Sequence, residues 1–152
     1  QLLFDYYPIE FMDRILGALS VQITKPTGEK ENLVTAKTYA NIFRILYNAS
    51  YLTREYSNEA LDILTHTSFN KGATAKLPKD VLVAHKFAER TVISSGNQDA
   101  GTKQFHECGI VYPKNSKEPY SFCIMTEGDD YLDLEEVISD ISLEIYNEIT
   151  KN

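Results

Sequence analysis

The chain has little positive charge and few of the residues that bind metals or form cross-links. It carries 15 Lys and Arg against 22 Asp and Glu, and the formal charge of −7 argues against a surface that binds nucleic acid or an anionic membrane. Its 3 histidines are scattered and lack paired ligand spacing, so we predict no metal and no cofactor. No apolar run is long enough to span a bilayer.

The chain also has only 2 cysteines, Cys108 and Cys123, which fall in adjacent predicted strands. A single pair in a chain of this size is not a disulfide framework. We interpret the two residues as small buried hydrophobic side chains, and a bridge between them remains an open alternative.

The remaining composition is that of a globular protein. Of the 152 residues, 43% are hydrophobic and 24% are charged, which argues against disorder. This length predicts one domain over residues 1–152. We expect a helical part over about residues 1–76, and a sheet with a terminal helix over about residues 77–152.

Apolar residues recur at helical spacing in four segments. One helix follows Pro8, a second runs from Ala36 to about Asn48 behind the N-cap Thr35, and Thr53 caps a third. In the closing helix, Asp133 with Glu136 resembles a capping box. The predicted apolar stripes are Ile9, Met12, Ile15, Leu16 and Leu19; Tyr39, Ile42, Phe43 and Leu46; Tyr56, Ala60, Leu61 and Leu64; and Leu134, Val137, Ile138, Ile141, Ile145 and Ile149.

Three apolar runs between loop signals predict strands at Val81–Glu89, Phe105–Tyr112 and Tyr120–Thr126. Sequential strands usually pair, so the middle strand should be Phe105–Tyr112 and the other two should be edges. The edge at Val81–Glu89 would leave N–H and C=O groups free for an extended ligand. Helices, then a three-stranded antiparallel meander, then a C-terminal helix make the fold class α+β.

The segments Ala84–Ala88, His106–Tyr112 and Tyr120–Gly128, followed by the final helix, resemble the C-terminal part of the serine β-lactamases. Class A enzymes and the related penicillin-binding D-Ala-D-Ala peptidases are the nearest match. The resemblance implies a partial β-lactamase/transpeptidase-like fold. The family's Ser-x-x-Lys and Ser-Asp-Asn motifs have no good candidate in this chain and lie upstream in such proteins. We therefore expect the chain to be the second half of a longer protein, with Gln1–Tyr7 the tail of a helix.

Lys86, Phe87 and Ala88 stand where the family has its Lys-Thr-Gly motif, which implies a substrate-binding strand. An ammonium beside a pocket can bind a substrate carboxylate. Phe87 replaces a hydroxyl side chain, and Ala88 replaces a glycine where backbone and ligand come close. The resemblance also makes the backbone N–H of Glu89 one of two oxyanion donors. Without the resemblance, Lys86 could simply be a lysine that protects a sheet edge from aggregation.

Other polar residues receive structural interpretations. His85 and Lys86 should point to opposite faces of their strand, so His85 is expected to be a packed, hydrogen-bonded histidine. The loop Val21–Leu33 offers Glu29, Glu31 and Asn32, but their spacing does not match the glutamate and asparagine with which class A enzymes deacylate. We interpret that loop as solvated. Thr91–Gln104 is predicted to be a long connection that is either a lid or a disordered insertion.

The resulting hypothesis is part of a serine hydrolase that acts on β-lactams or D-Ala-D-Ala peptides through an acyl-enzyme. The complete protein would be the enzyme, and its missing N-terminal segment would supply the nucleophile. The alternative is a non-catalytic module that keeps the groove for cell-wall peptide. The family's substrates imply an extracytoplasmic or periplasmic location.

Overall fold

The computed structural model describes residues 6–21, 34–93, 101–114 and 118–151. Within these ranges the chain forms four helices and one three-stranded antiparallel sheet. The helices are α1 (Ile9–Ala18), α2 (Ala36–Tyr47), α3 (Arg54–Thr65) and α4 (Tyr131–Thr150), and the strands are β1 (Leu82–Val92), β2 (Thr102–Tyr112) and β3 (Tyr120–Gly128). The predicted α+β class and order of elements are confirmed.

Local capping chemistry accounts for the starts of three helices. The side chains of Thr35 and Thr53 accept hydrogen bonds from the N–H groups of the residues three positions later, so both predicted N-caps are confirmed. The predicted start of α4 at Asp133 is wrong. Asp130 is the cap, because its carboxylate accepts the N–H of Leu132 at 2.7 Å, and Asp133 lies in the first turn.

The strand order is β1-β2-β3, which confirms β2 as the middle strand and places β1 and β3 at the margins of the sheet. The pairing of β1 with β2 is continuous from Leu82 opposite Tyr112 to Val92 opposite Thr102. The predicted connection Thr91–Gln104 was therefore too long, because its two ends belong to the paired strands. Residues 94–100, the middle of that connection, lie outside the described residues.

The two faces of the sheet pack against different helices. The back face of the sheet, which carries Val83, Phe105 and Val111, packs against α4. The front face carries Ala84, Cys108 and Ile110, and it packs against Phe43 of α2 and Leu61 of α3. Side chains of adjacent strand residues alternate between these two faces. Each strand residue therefore points either towards α4 or towards the side of α2 and α3.

The buried stripe of α4 differs from the predicted one. Leu134, Ile138 and Tyr146 are buried, whereas Val137, Ile141 and Ile149 are 45%, 40% and 42% exposed. Ser139 and Ser142 are buried instead of further large side chains. A helix that lies on a sheet buries a narrow stripe, and small residues within it allow close approach. Apolar spacing alone does not determine which side of the apolar stripe packs against the sheet.

Cys108 and Cys123 are directly opposite each other in β2 and β3, and they form a disulfide. The alternative that the sequence left open is therefore the one adopted, and the interpretation as two free buried side chains is wrong. The bridge lies on the front face and joins the middle strand to one edge. None of the helices in the described ranges is both long enough and apolar enough to cross a membrane.

Candidate functional site

A cleft of about 360 Å³ opens on the front face of the sheet. It lies next to the part of that face that packs against α2 and α3. Side chains from three rows of the sheet form its floor, each row taking one residue from each strand in register. The floor residues are Lys86, from the row with Cys108 and Cys123; Ala88, His106 and Met125; and Arg90 and Gln104, from the row with Glu127. Val34, just before α2, and Tyr39, in the first turn of α2, also line the cleft. Burial raises the pKa of Tyr39, so its phenol stays neutral beside the cleft.

Lys86 is exposed at the open edge of β1. Its Nζ donates a hydrogen bond to the backbone oxygen of Phe87 at 2.6 Å and lies 5.0 Å from the centre of that residue's ring. No carboxylate of the described residues pairs with this ammonium. Lys86 is therefore a cation held at the rim of the cleft by neutral groups, where an incoming anion can bind it.

The backbone N–H of Glu89 points away from β2 at this same edge. The Cα atoms of Cys108 and Cys123 are 4.0 Å apart, which is typical of a pair that does not exchange backbone hydrogen bonds. The backbone groups of Cys108 therefore face β1, so its partner Lys86 is in a hydrogen-bonded pair. Phe87 and Glu89 then face outward, as the bond from Lys86 to the Phe87 oxygen also indicates. The outward N–H is available to a ligand carbonyl.

The side chains of Phe87 and Ala88, the two motif residues after Lys86, point to opposite faces of the sheet. The Phe87 ring lies on the back face, stacked on Phe69 with 3.9 Å between ring centroids and tilted against Phe105. Phe87 therefore belongs to the core through its ring, and its backbone lines the cleft. Ala88 is exposed on the front face and places a methyl group in the cleft floor. The roles of both residues in substrate binding stay predictions.

His85 is buried on the back face, as expected of a packed histidine, and its partner is an equally buried glutamate. His85 Nδ1 hydrogen-bonds to Glu107 Oε1, and Glu107 Oε2 accepts the N–H of Ala73 at 2.7 Å. This pair ties β1 and β2 to the loop before β1. Glu107 was not among the predicted site residues, although a glutamate inside an otherwise apolar central strand is itself a signal that a buried partner exists.

The motif Ser-x-x-Lys occurs once by spacing, at Ser68–Lys71, but the fold places it away from the cleft. These residues form the loop after α3 rather than a helix. Phe69 packs on the back face, and Lys71 Nζ lies 3.9 Å from Glu135 Oε2 of α4. Among the described residues that line the cleft, none is a serine or threonine. Glu29, Glu31 and Asn32 lie outside the described residues.

The metal prediction stays a prediction. Within the ranges that the structure describes, no three side chains of His, Cys, Asp or Glu come together as potential ligands. The histidines occupy three different environments, which are the buried pair with Glu107, the cleft floor and the exposed end of α3.

Known structures share this arrangement of sheet and helices. A class A β-lactamase from Bacteroides cellulosilyticus matches with a TM-score of 0.79 at 19% identity, over 99% of this chain and 58% of that one. The TLA-3 extended-spectrum β-lactamase matches with a TM-score of 0.80 at 16% identity, over 99% and 58%. PBP-A matches with a TM-score of 0.68 at 18% identity, over 90% and 49%. The chain thus spans about half the length of the structures that it matches.

At these identities the structural matches show the fold. No curated protein sequence matches the chain significantly. The sequence profile described as the beta-lactamase enzyme family matches residues 7–149, which is nearly the whole chain. The resemblance seen around Lys86 is therefore confirmed, and the chain belongs to the beta-lactamase enzyme family.

Proposed function

We propose that this chain is the sheet-bearing part of a serine hydrolase that is acylated by β-lactams or D-Ala-D-Ala peptides. The observation that carries the proposal is the pairing of two groups at one open strand edge. The Lys86 ammonium and the outward N–H of Glu89 lie at the rim of the same cleft. Both ligand classes carry a carboxylate and, near it, a carbonyl carbon that a nucleophile can attack.

Lys86 would bind the carboxylate. The chain is acidic overall, so a cation without a carboxylate partner in the described part creates a local positive potential in the cleft. A hydrogen bond to a charged group is worth about 1.5–3 kcal/mol. That energy would orient the ligand along the edge of β1, with its scissile carbonyl beside Glu89.

The Glu89 N–H would then stabilise the oxyanion that forms when the carbonyl carbon is attacked. A second donor and the nucleophilic serine would come from a segment of the protein outside these 152 residues. The serine Oγ would bond to the carbonyl carbon, its proton would pass to a base, and the leaving nitrogen would take a proton as the C–N bond breaks. Residence outside the cytoplasm is part of the proposal, because D-Ala-D-Ala peptides of the cell wall are found there.

A second candidate is a non-catalytic module that binds cell-wall peptide. Two observations favour it. A methyl group of Ala88 occupies the cleft floor, and the Phe87 side chain packs in the core, where the family has a hydroxyl residue. Such a module would use Lys86 and the open edge for binding and would form no covalent intermediate.

A fluorescent penicillin incubated with the complete protein separates the two candidates. The enzyme predicts a covalently labelled band at one serine, and the binding module predicts reversible binding without label. In the enzyme, Lys86→Ala should reduce the acylation efficiency by the 1.5–3 kcal/mol of the lost carboxylate contact, which is roughly 10- to 150-fold. Lys79→Ala is the matched control, since Lys79 is exposed in the turn before β1 and does not line the cleft.

The fold of the Lys86→Ala variant should persist because the side chain is exposed. An unchanged acylation rate together with a lower melting temperature would make Lys86 a structural residue and would remove the main support for this proposal.

A further inference from the structure

His106 occupies the centre of the cleft floor with an unsatisfied ring nitrogen. It projects from the middle strand on the front face, between Ala88 of β1 and Met125 of β3. Its Nδ1 is inaccessible to solvent and has no hydrogen-bond partner among the described residues. Buried polar atoms without partners are rare and costly, and each calls for an explanation.

The neighbours of His106 on its own strand cannot satisfy it. Gln104 uses both ends of its amide, because Oε1 accepts from Arg90 Nη2 at 2.9 Å and Nε2 donates to Glu127 Oε2 at 2.6 Å. Cys108 is committed to the disulfide. Among the described residues, Gln104 and Cys108 on either side of His106 are therefore both engaged, whereas His106 Nδ1 is not.

The buried Nδ1 also selects one form of the ring. A proton on Nδ1 would place an N–H in a dry site with no acceptor among the described residues. The tautomer with its proton on Nε2 avoids that cost. Nδ1 is enclosed while the residue lines the cleft, so the Nε2–H edge is the one that reaches the cleft. His106 thus presents a hydrogen-bond donor in the cleft floor.

The proposed reaction determines what must enter the cleft next to this donor. The serine Oγ has to approach a carbonyl carbon that is held at Glu89, and the described lining offers no serine or threonine. The segment that carries the nucleophile must therefore lie over the front face. His106 pairs with Ala88, the neighbour of Glu89, so its ring is within about two strand positions of the oxyanion donor.

We propose that His106 is a positioning residue whose Nε2–H donates a hydrogen bond to an oxygen of the nucleophile-bearing segment. The bond holds the serine of that segment over the outward N–H of Glu89. This inference rests on the proposed function, and it assigns His106 a role that neither Lys86 nor Glu89 can fill, since both act on the substrate.

The test measures the noncovalent dissociation constant and the acylation rate constant of the complete protein separately. His106→Leu removes the donor, and His106→Gln restores an N–H near the same place. Each variant is tested with penicillin G and with 6-aminopenicillanic acid, which has the same ring and carboxylate but lacks the side-chain amide. Thermal unfolding of each variant monitors the fold.

We expect His106→Leu to lower the acylation rate constant about 10- to 100-fold with both compounds, because a displaced nucleophile loses its alignment. The dissociation constants should stay unchanged, and His106→Gln should recover most of the rate. A loss with penicillin G alone, seen in its dissociation constant, would make His106 a substrate contact and would overturn the proposal. An unchanged rate constant would overturn it as well.

If the complete protein is never acylated, the proposed function fails. A second measurement then still tests the role of His106. The Nε2–H of His106 should then still give a protected proton resonance in the complete protein. Rapid exchange there would refute the positioning role independently of catalysis.

Discussion

Glu107→Leu should lower the free energy of unfolding by about 3–5 kcal/mol, which is the cost of breaking a buried pair by removing one partner. Glu107 is fully buried, and its carboxylate bonds to His85 with one oxygen and to the Ala73 N–H with the other. The site has no room to adapt. A Cβ atom placed on Gly72 would lie 1.9 Å from Glu107 Oε2.

The magnitude follows from the groups left behind. Leucine fills a similar volume but leaves His85 Nδ1 and the Ala73 N–H without partners, and each such orphan costs about 1–3 kcal/mol. Glu107→Gln should be much milder, at about 1 kcal/mol, because its side-chain amide keeps an oxygen that can accept from the Ala73 N–H and a polar group that faces His85.

A double-mutant cycle with His85→Leu isolates the pair. The double variant should be more stable than the sum of the single losses predicts, by roughly 1–3 kcal/mol, because the second substitution removes a group that the first had left unpaired. Urea unfolding at neutral pH, followed by circular dichroism, measures all four proteins. Glu59→Ala, at an exposed position of α3, is the control and should change stability by no more than about 0.5 kcal/mol.

If Glu107→Leu were as stable as the parent, or if the single losses were simply additive, the buried pair would contribute nothing specific. The Glu107 carboxylate would then not hold the loop before β1 against the sheet.

Three further predictions follow from the strands. Burial raises the pKa of Tyr120 to about 12, and its buried hydroxyl has no partner in the described part of the chain. The neutral phenol is thus favoured in the folded state, a contribution that is present below pH 10 and lost as the pH rises from 10 to 12. Tyr120→Phe should therefore show a shallower loss of stability over that pH range in urea titrations, and an identical slope would contradict the assigned burial. The 152-residue chain should form oligomers in size-exclusion chromatography, because β3 is an edge strand rich in apolar residues, and a clean monomer would count against this. The same chain should not be labelled by fluorescent penicillin, since no serine lines the described cleft, and label at a defined serine would refute that conclusion.

The sequence was sufficient wherever the determinant is local or periodic. Thr35 and Thr53 cap helices with their own side chains, so their roles need no distant partner. Strand alternation placed His85 and Lys86 on opposite faces, and the tendency of sequential strands to pair made Phe105–Tyr112 the middle strand. The ends of β1 and β2 were missed because their residues are mostly polar. Arg90, Thr91, Lys103 and Gln104 show no apolar alternation there.

Tertiary structure decided everything that depends on which residues meet across the chain. Periodicity encodes burial, but the partner of a buried group follows from register and packing. The pair of His85 with Glu107 and the disulfide of Cys108 with Cys123 both require the observed strand register. The same register directs the Glu89 N–H outward and leaves His106 Nδ1 beside it without a partner in the described part of the chain. The sequence alone therefore identified the strand that carries the site, and only the paired sheet determined which groups on it are free to act.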